Sequence, residues 1–282
     1  MKLSARSDFR VRDRHILLAF IGGIAVAICW GRLAFASDDI GVTGLFEGRL
    51  GANVGELLAI AALVSVVSRF RDEDLLSQSD LLAIAVTSLV FAVPALRAAA
   101  LPVTVVGLVF FPKRDLRLSS IGQLLLALAF YEWLGRILFN LFSPVVLQVE
   151  AATVQALLSL FGGFTRDGPT IIAANGRGIY IETDCSAFHS LSLATLIWIS
   201  LIKAQALPLQ KFQWLVLATM AGATISLNTA RLALLAQSRA QSDSLLMFNY
   251  WHYGQGYAII SLIMLAVMLG IFLGGQMLVQ RR

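Results

Sequence analysis

Long apolar runs dominate this chain and limit what it can fold into. Eight can be marked, at 16–36, 52–68, 80–94, 96–111, 119–142, 186–202, 212–232 and 253–278. A helix needs about 20 mostly apolar residues to cross the hydrocarbon core of a bilayer, and most of these runs approach that length. Composition agrees: 58% of the residues are hydrophobic and 14% charged, where soluble domains average about 45–50% and about 25%. At a mean hydropathy of +0.78, a chain of 282 residues cannot hide its apolar surface in one water-soluble core. The expected fold is an all-α polytopic integral membrane protein with about eight transmembrane helices. A soluble enzyme and a disordered tail are excluded. So is a disulfide scaffold, because two cysteines allow at most one bridge.

The third and fourth runs form one stretch, 81–111, broken by Pro94, Arg97 and Pro102. At about 1.5 Å per residue it is too long for a single span, so a tight helical hairpin is expected. The first run follows a basic start and could pass for a secretion signal. It is long, and Ala34-Phe35-Ala36 is only a fair cleavage site, so a retained first helix is expected.

Loop charges set an orientation. With the N-terminus in the cytoplasm, the inside segments carry five basic residues in 2–14, then Arg69 and Arg71, three in 113–117, Lys203 and Lys211, and Arg281 and Arg282. These make fourteen of the 22 basic residues. The positive-inside rule then places both termini in the cytoplasm. It also accounts for the pI of about 9.6 without nucleic acid as a partner.

Under this topology the one sizeable loop, 143–185, lies outside. Residues 145–160 have the mixed pattern of an amphipathic helix lying on the membrane. Residues 161–170 (FGGFTRDGPT) read as a Gly/Pro-rich turn region. Residues 170–183 (TIIAANGRGIYIET) read as a β-hairpin, with β-prone runs flanking a type I′ turn at Asn175-Gly176. The chain therefore divides into N-terminal transmembrane helices (1–144, about five spans), a small extracytoplasmic cap (145–184), and a C-terminal three-helix region (185–282) in which the chemistry is expected.

Few residues can carry that chemistry. Metal-ligand spacings, a phosphate-binding glycine loop and Gly-x-Ser-x-Gly are all absent, so no metal or organic cofactor is expected. What remains is a polar set at the outer ends of the last three runs: Cys185 before the sixth, Asn228 and Arg231 near the end of the seventh, and His252 before the eighth. A helix N-terminus favours a thiolate, and a nearby Arg favours it further and can hold an oxyanion. A His can take the thiol proton and later protonate a leaving amine, while Asp184 opposes the effect by adding negative charge. Each residue also has a plainer role open to it: Cys185 as a small buried hydrophobe, Arg231 as an interfacial anchor, and His252 as part of an aromatic interfacial belt with Tyr250, Trp251 and Tyr253. His189, one turn after Cys185, is a rival base or a substrate contact. Cys29, mid-way along the first run, is expected to be a buried hydrophobe, and His15 to sit at the cytoplasmic interface.

Taken in order, Cys185-Ser186-Ala187, Asn228-Thr229-Ala230-Arg231 and His252-Tyr253-Gly254-Gln255-Gly256 resemble the motifs of the exosortase/archaeosortase family. The likeness covers 145–282 by motif and 1–144 by helix count and hydropathy. It implies a membrane cysteine protease or transpeptidase acting through a thioester. The implied substrates are exported proteins with a C-terminal sorting signal: a short motif such as Pro-Glu-Pro, a transmembrane helix and a basic tail. Cys185 would be the nucleophile, Arg231 the oxyanion stabiliser or thiolate partner, and His252 the general acid/base. Ser186, His189, Asn228 and Gly256 would support the site or bind substrate. Two departures stand out. Ala187 replaces the usual glycine, and His189 occupies the neighbourhood where the family often has a basic residue.

Two other functions compete. A small-solute transporter would need paired intramembrane charges or an internal repeat. Arg32, Arg97, Arg136 and Glu132 are the only candidate charges, and most lie near outer helix ends. A non-catalytic assembly factor that binds sorting helices has no use for an intact Cys185, Arg231 and His252. The protein is expected in the plasma membrane, in contact with lipid, with its site on the extracytoplasmic face.

Overall fold

The computed structural model describes residues 13–33, 54–70, 76–91, 100–241, 245–252 and 255–280. The helices are α1 (Asp13–Leu33), α2 (Val54–Ser68), α3 (Gln78–Phe91), α4 (Ala100–Phe110), α5 (Leu116–Ala129), α6 (Gly135–Ser159), α7 (Ala187–Ala204), α8 (Lys211–Gln241), α9 (Leu246–His252) and α10 (Gln255–Gln280). Between α6 and α7 lie three short strands, β1 (Phe164–Asp167), β2 (Thr170–Ala173) and β3 (Gly178–Tyr180), and a 3-10 turn, Thr183–Cys185.

The protein is a helical membrane protein. Among the described residues, four stretches are long and apolar enough to cross a bilayer: Leu116–Ser159, Ala187–Ala204, Lys211–Gln241 and Leu246–Leu278. Val54–Ser68 and Gln78–Leu89 are shorter apolar helices. The interruption at Pro94 and Arg97, on which the hairpin expectation rests, lies outside the described residues.

Two apolar cores organise the molecule. The larger runs through α1 to α5, α7, α8 and α10, with Leu63, Phe110, Leu124, Leu196 and Phe272 fully buried. α7 is its central element and packs against α2, α5 and α8. The smaller core joins α6, the sheet and the second half of α8 through Leu147, Val154, Ile171, Ile179, Leu232 and Leu235, and it includes Cys185. The candidate nucleophile therefore sits where helices and sheet meet.

Expectation and structure differ at several points, each with a local cause. No break separates the fifth run from the surface helix expected at 145–160. Residues Leu116–Ser159 form one helical rod of 44 residues, so the boundary drawn at 144/145 falls inside α6. Pro144 lies within α6 and cannot donate to the Asn140 carbonyl. The Ser143 hydroxyl donates to that carbonyl instead, at 3.2 Å, which lets the helix continue. The one irregularity is a π segment, Phe130–Leu134, between α5 and α6.

The sheet is larger than a hairpin. β2 and β3 pair antiparallel, with Ile171 opposite Ile179, and both isoleucines point into the smaller core. β1 adds to β2 with Phe164 opposite Ala173, so half of the expected turn region is strand. The loop at Asn175-Gly176 is not type I′. The Ala173 N–H donates to Arg177 O at 2.7 Å, and of the loop residues only Gly176 has positive φ, +78°. That describes a three-residue loop closed by a left-handed glycine. The Asn175 side chain donates to Ala240 O at 2.8 Å, tying the loop to the end of α8.

α8 outruns the apolar run that announced it. Residues 233–241 (ALLAQSRAQ) are nearly all good helix formers, and Ala233, Leu235 and Ala236 are buried in the smaller core. Arg231 therefore lies inside α8, not at its end. His252 closes the short helix α9 and does not open the last one.

Candidate active site

Cys185 ends the 3-10 turn, and Ser186 caps α7 with φ −67° and ψ 146°. The Ser186 Oγ accepts from the Phe188 N–H at 3.2 Å, so a side-chain cap starts the helix immediately after the cysteine. Cys185 is 5% exposed. Its Sγ lies 3.2 Å from His252 Nε2, although 67 residues separate the two in sequence.

Two other helices grip the turn. From α8, the Asn228 Nδ2 donates to Cys185 O at 3.0 Å. From α6, the Glu150 Oε1 accepts from Ser186 Oγ at 2.6 Å and from the Ala187 N–H at 2.8 Å. The Phe139 and Phe188 rings pack at 5.0 Å beside this contact. Ala187 is buried, so its methyl group is accommodated where the resembling family usually has glycine.

His252 is oriented by its own short helix. Its ring stacks on Phe248, one turn earlier, at 5.1 Å and 14°. Arg231 and Glu182 are charged groups near it. Arg231 sits one turn beyond Asn228 on α8, 7% exposed. Its guanidinium lies over the Tyr257 ring of α10, 4.8 Å from the centroid. No carboxylate pairs with Arg231 among the described residues, and its buried Nε has no hydrogen-bond partner there. A buried guanidinium held by a π face, with no counter-ion among the described residues, is suited to receive an anion.

Gly256 is required by the corner between α9 and α10. A Cβ there would stand 2.6 Å from Trp251 Cε3 and 2.9 Å from Tyr250 O. Only glycine lets the last helix start this close behind His252. Tyr253 and Gly254 lie outside the described residues.

His189 faces the π segment. It is exposed, and its Nε2 faces the Tyr131 hydroxyl of the π segment at 3.3 Å. The side chain of Cys29 lies outside the described residues. Among the described residues no cluster of three or more His, Cys, Asp or Glu could hold a metal ion.

The structure thus brings Cys185, Ser186, Asn228 and His252 to one point, with Arg231 and Gly256 bordering it. Three residues were missed from sequence: Glu150, Glu182 and Tyr257. For Glu150 a signal existed, because it is the only charged residue between Arg136 and Arg166, and lone acids in apolar helices are seldom idle. For Tyr257 and Glu182 the sequence carries no such signal.

Residues 13–269 match the family model of the transmembrane exosortase (Exosortase_EpsH). The chain belongs to the transmembrane exosortase family. No curated protein and no solved structure matches it. Family membership agrees with the resemblance carried by the three motifs, and it extends the likeness over the N-terminal helices.

Proposed function

We propose that this exosortase is a membrane cysteine peptidase or transpeptidase that cleaves the C-terminal sorting signal of exported proteins. The observation that carries the reading is the 3.2 Å contact between Cys185 Sγ and His252 Nε2, with Arg231, which no carboxylate pairs among the described residues, beside it. A thiol at that distance can pass its proton to the imidazole. The thiolate attacks the scissile carbonyl carbon, and the carbonyl oxygen takes the negative charge. Arg231 faces that charge, which is where fixed cations lower a barrier most. His252 then returns its proton to the leaving amine as the C–N bond breaks, leaving a thioester on Cys185. An acceptor amine or water attacks the thioester and restores the thiol.

In this proposal the site faces the extracytoplasmic side of the plasma membrane, both termini are cytoplasmic, and eight helices span. The substrate carries a short motif such as Pro-Glu-Pro, then a membrane helix that enters beside α7, α8 and α10, then a basic tail left in the cytoplasm. No organic cofactor or metal takes part.

The test is to co-express the protein with an exported protein of that design and follow the substrate's size by immunoblot. Wild type is compared with Cys185→Ala at matched membrane levels. A shorter product that vanishes only in the mutant supports thiol-dependent processing. Equal processing by both overturns the cysteine mechanism and favours an assembly factor that binds the sorting helix.

A further inference from the structure

We infer that Glu150 is a positioning residue: its carboxyl group holds the turn that presents Cys185 to His252. This rests on the cysteine mechanism proposed above. Glu150 belongs to α6, the continuation of α5, and not to the three C-terminal helices that carry the motifs. Its Oε1 takes hydrogen bonds from the two residues that follow the nucleophile, Ser186 Oγ at 2.6 Å and the Ala187 N–H at 2.8 Å.

Those two donors are not interchangeable with water. Ser186 and Ala187 are 2% and 4% exposed, and the first amides of a helix need partners. Ser186 meets the need at Phe188 with its own oxygen and spends its proton on Glu150. Glu150 meets the need at Ala187. The Ser186 hydroxyl is therefore fixed at both its proton and its oxygen. On the other side Asn228 holds Cys185 O. The turn is clamped from α6 and from α8, leaving the thiol directed at His252. The second carboxyl oxygen, Oε2, is buried with no partner among the described residues. The clamp thus uses one oxygen as a two-fold acceptor, and the amide oxygen of glutamine can serve in the same way.

The experiment is alkylation of Cys185 by iodoacetamide, using the full-length protein in membranes. Cys29→Ser is introduced so that Cys185 is the only thiol, since the chain has two cysteines. Glu150→Met removes the acceptor of two buried hydrogen bonds and should slow alkylation by about tenfold or more. Glu150→Gln should stay within about threefold of the parent because the acceptor survives. In a His252→Ala background Glu150→Met should add little, because the contact it protects is already gone. Additive losses mean that Glu150 merely supports the fold and overturn the inference, as does an unaltered rate in Glu150→Met or a Gln variant as slow as Met. If Glu150→Met fails to insert, Ser186→Ala removes one donor of the same clamp and must itself slow alkylation. If His252→Ala leaves the rate unchanged, the cysteine–histidine mechanism fails. If His252→Ala slows alkylation and Glu150→Met does not, only the positioning role fails.

Discussion

Replacing Asn228 with alanine removes the donor that α8 places on the Cys185 carbonyl. That bond is 3.0 Å long and Asn228 is 3% exposed, so water cannot readily take its place. A buried carbonyl left without a donor costs about 1–3 kcal/mol. If the cost falls on the conformer that presents the thiol, the rate of processing drops by about 5- to 150-fold, at tenfold per 1.36 kcal/mol. Asn228→Asp should lose at least as much. Its carboxylate cannot donate to the carbonyl and adds negative charge beside a group that must become a thiolate. The measurement is the initial rate of product formation from a co-expressed sorting-signal substrate, at matched membrane levels. Asn228→Ala should be slow but active, well above Cys185→Ala. An Asn228→Ala protein processing at the wild-type rate would refute the idea that this bond seats the nucleophile. So would an Asp variant faster than the Ala variant.

Cys185→Ala, Arg231→Ala and His252→Ala should each abolish detectable processing while the proteins still insert, since loss of a general base alone costs about 10²–10⁴-fold. His189→Ala should keep at least partial activity; a dead His189→Ala with an active His252→Ala would transfer the base role to His189. Gly256→Ala places a methyl group 2.9 Å from the Tyr250 carbonyl and should push α9, with His252, off its seat, lowering activity more than thermal stability in detergent. Asp115 caps α5 by accepting from the Arg117 and Leu118 amides. Burial pushes its carboxyl up, but the hydrogen bonds from Arg117 and from those two amides outweigh this and hold it below the ordinary aspartate value. Its stabilisation is therefore present above the unfolded value and fades as pH falls through the folded one. Asp115→Ala should cost about 1 kcal/mol in thermal unfolding at neutral pH, and the gap should shrink below about pH 4; a gap that holds constant into acid would count against the cap.

Much of the fold was legible because it follows from local composition. Membrane character needs only the density of apolar residues. The pairing of β2 with β3 needs only β-prone runs around Asn175-Gly176. Where sequence fell short, packing had overridden a local signal. The fifth apolar run ended at 142, yet Ser143 takes up the Asn140 carbonyl that Pro144 leaves free and α6 runs on. The seventh apolar run ended at 232, yet Ala233, Leu235 and Ala236 beyond it are buried in the smaller core. The turn residues around Gly168 hid β1, whose partner is β2.

The site divides along the same line. From sequence alone came the chemical vocabulary: a thiol before a helix, Asn and Arg one turn apart, a His before the last helix, and a glycine after it. The first three are properties of residue type and spacing; the glycine came with the family resemblance. Tertiary structure alone decided which histidine meets the thiol. His189 is the nearer in sequence, and the π segment brings Tyr131 to it; α9 delivers His252 to Cys185. It also placed Glu150 on the turn that carries Cys185 and Tyr257 under Arg231. Contacts of that kind join residues that are distant along the chain, and only the packing of whole helices sets the distance between them.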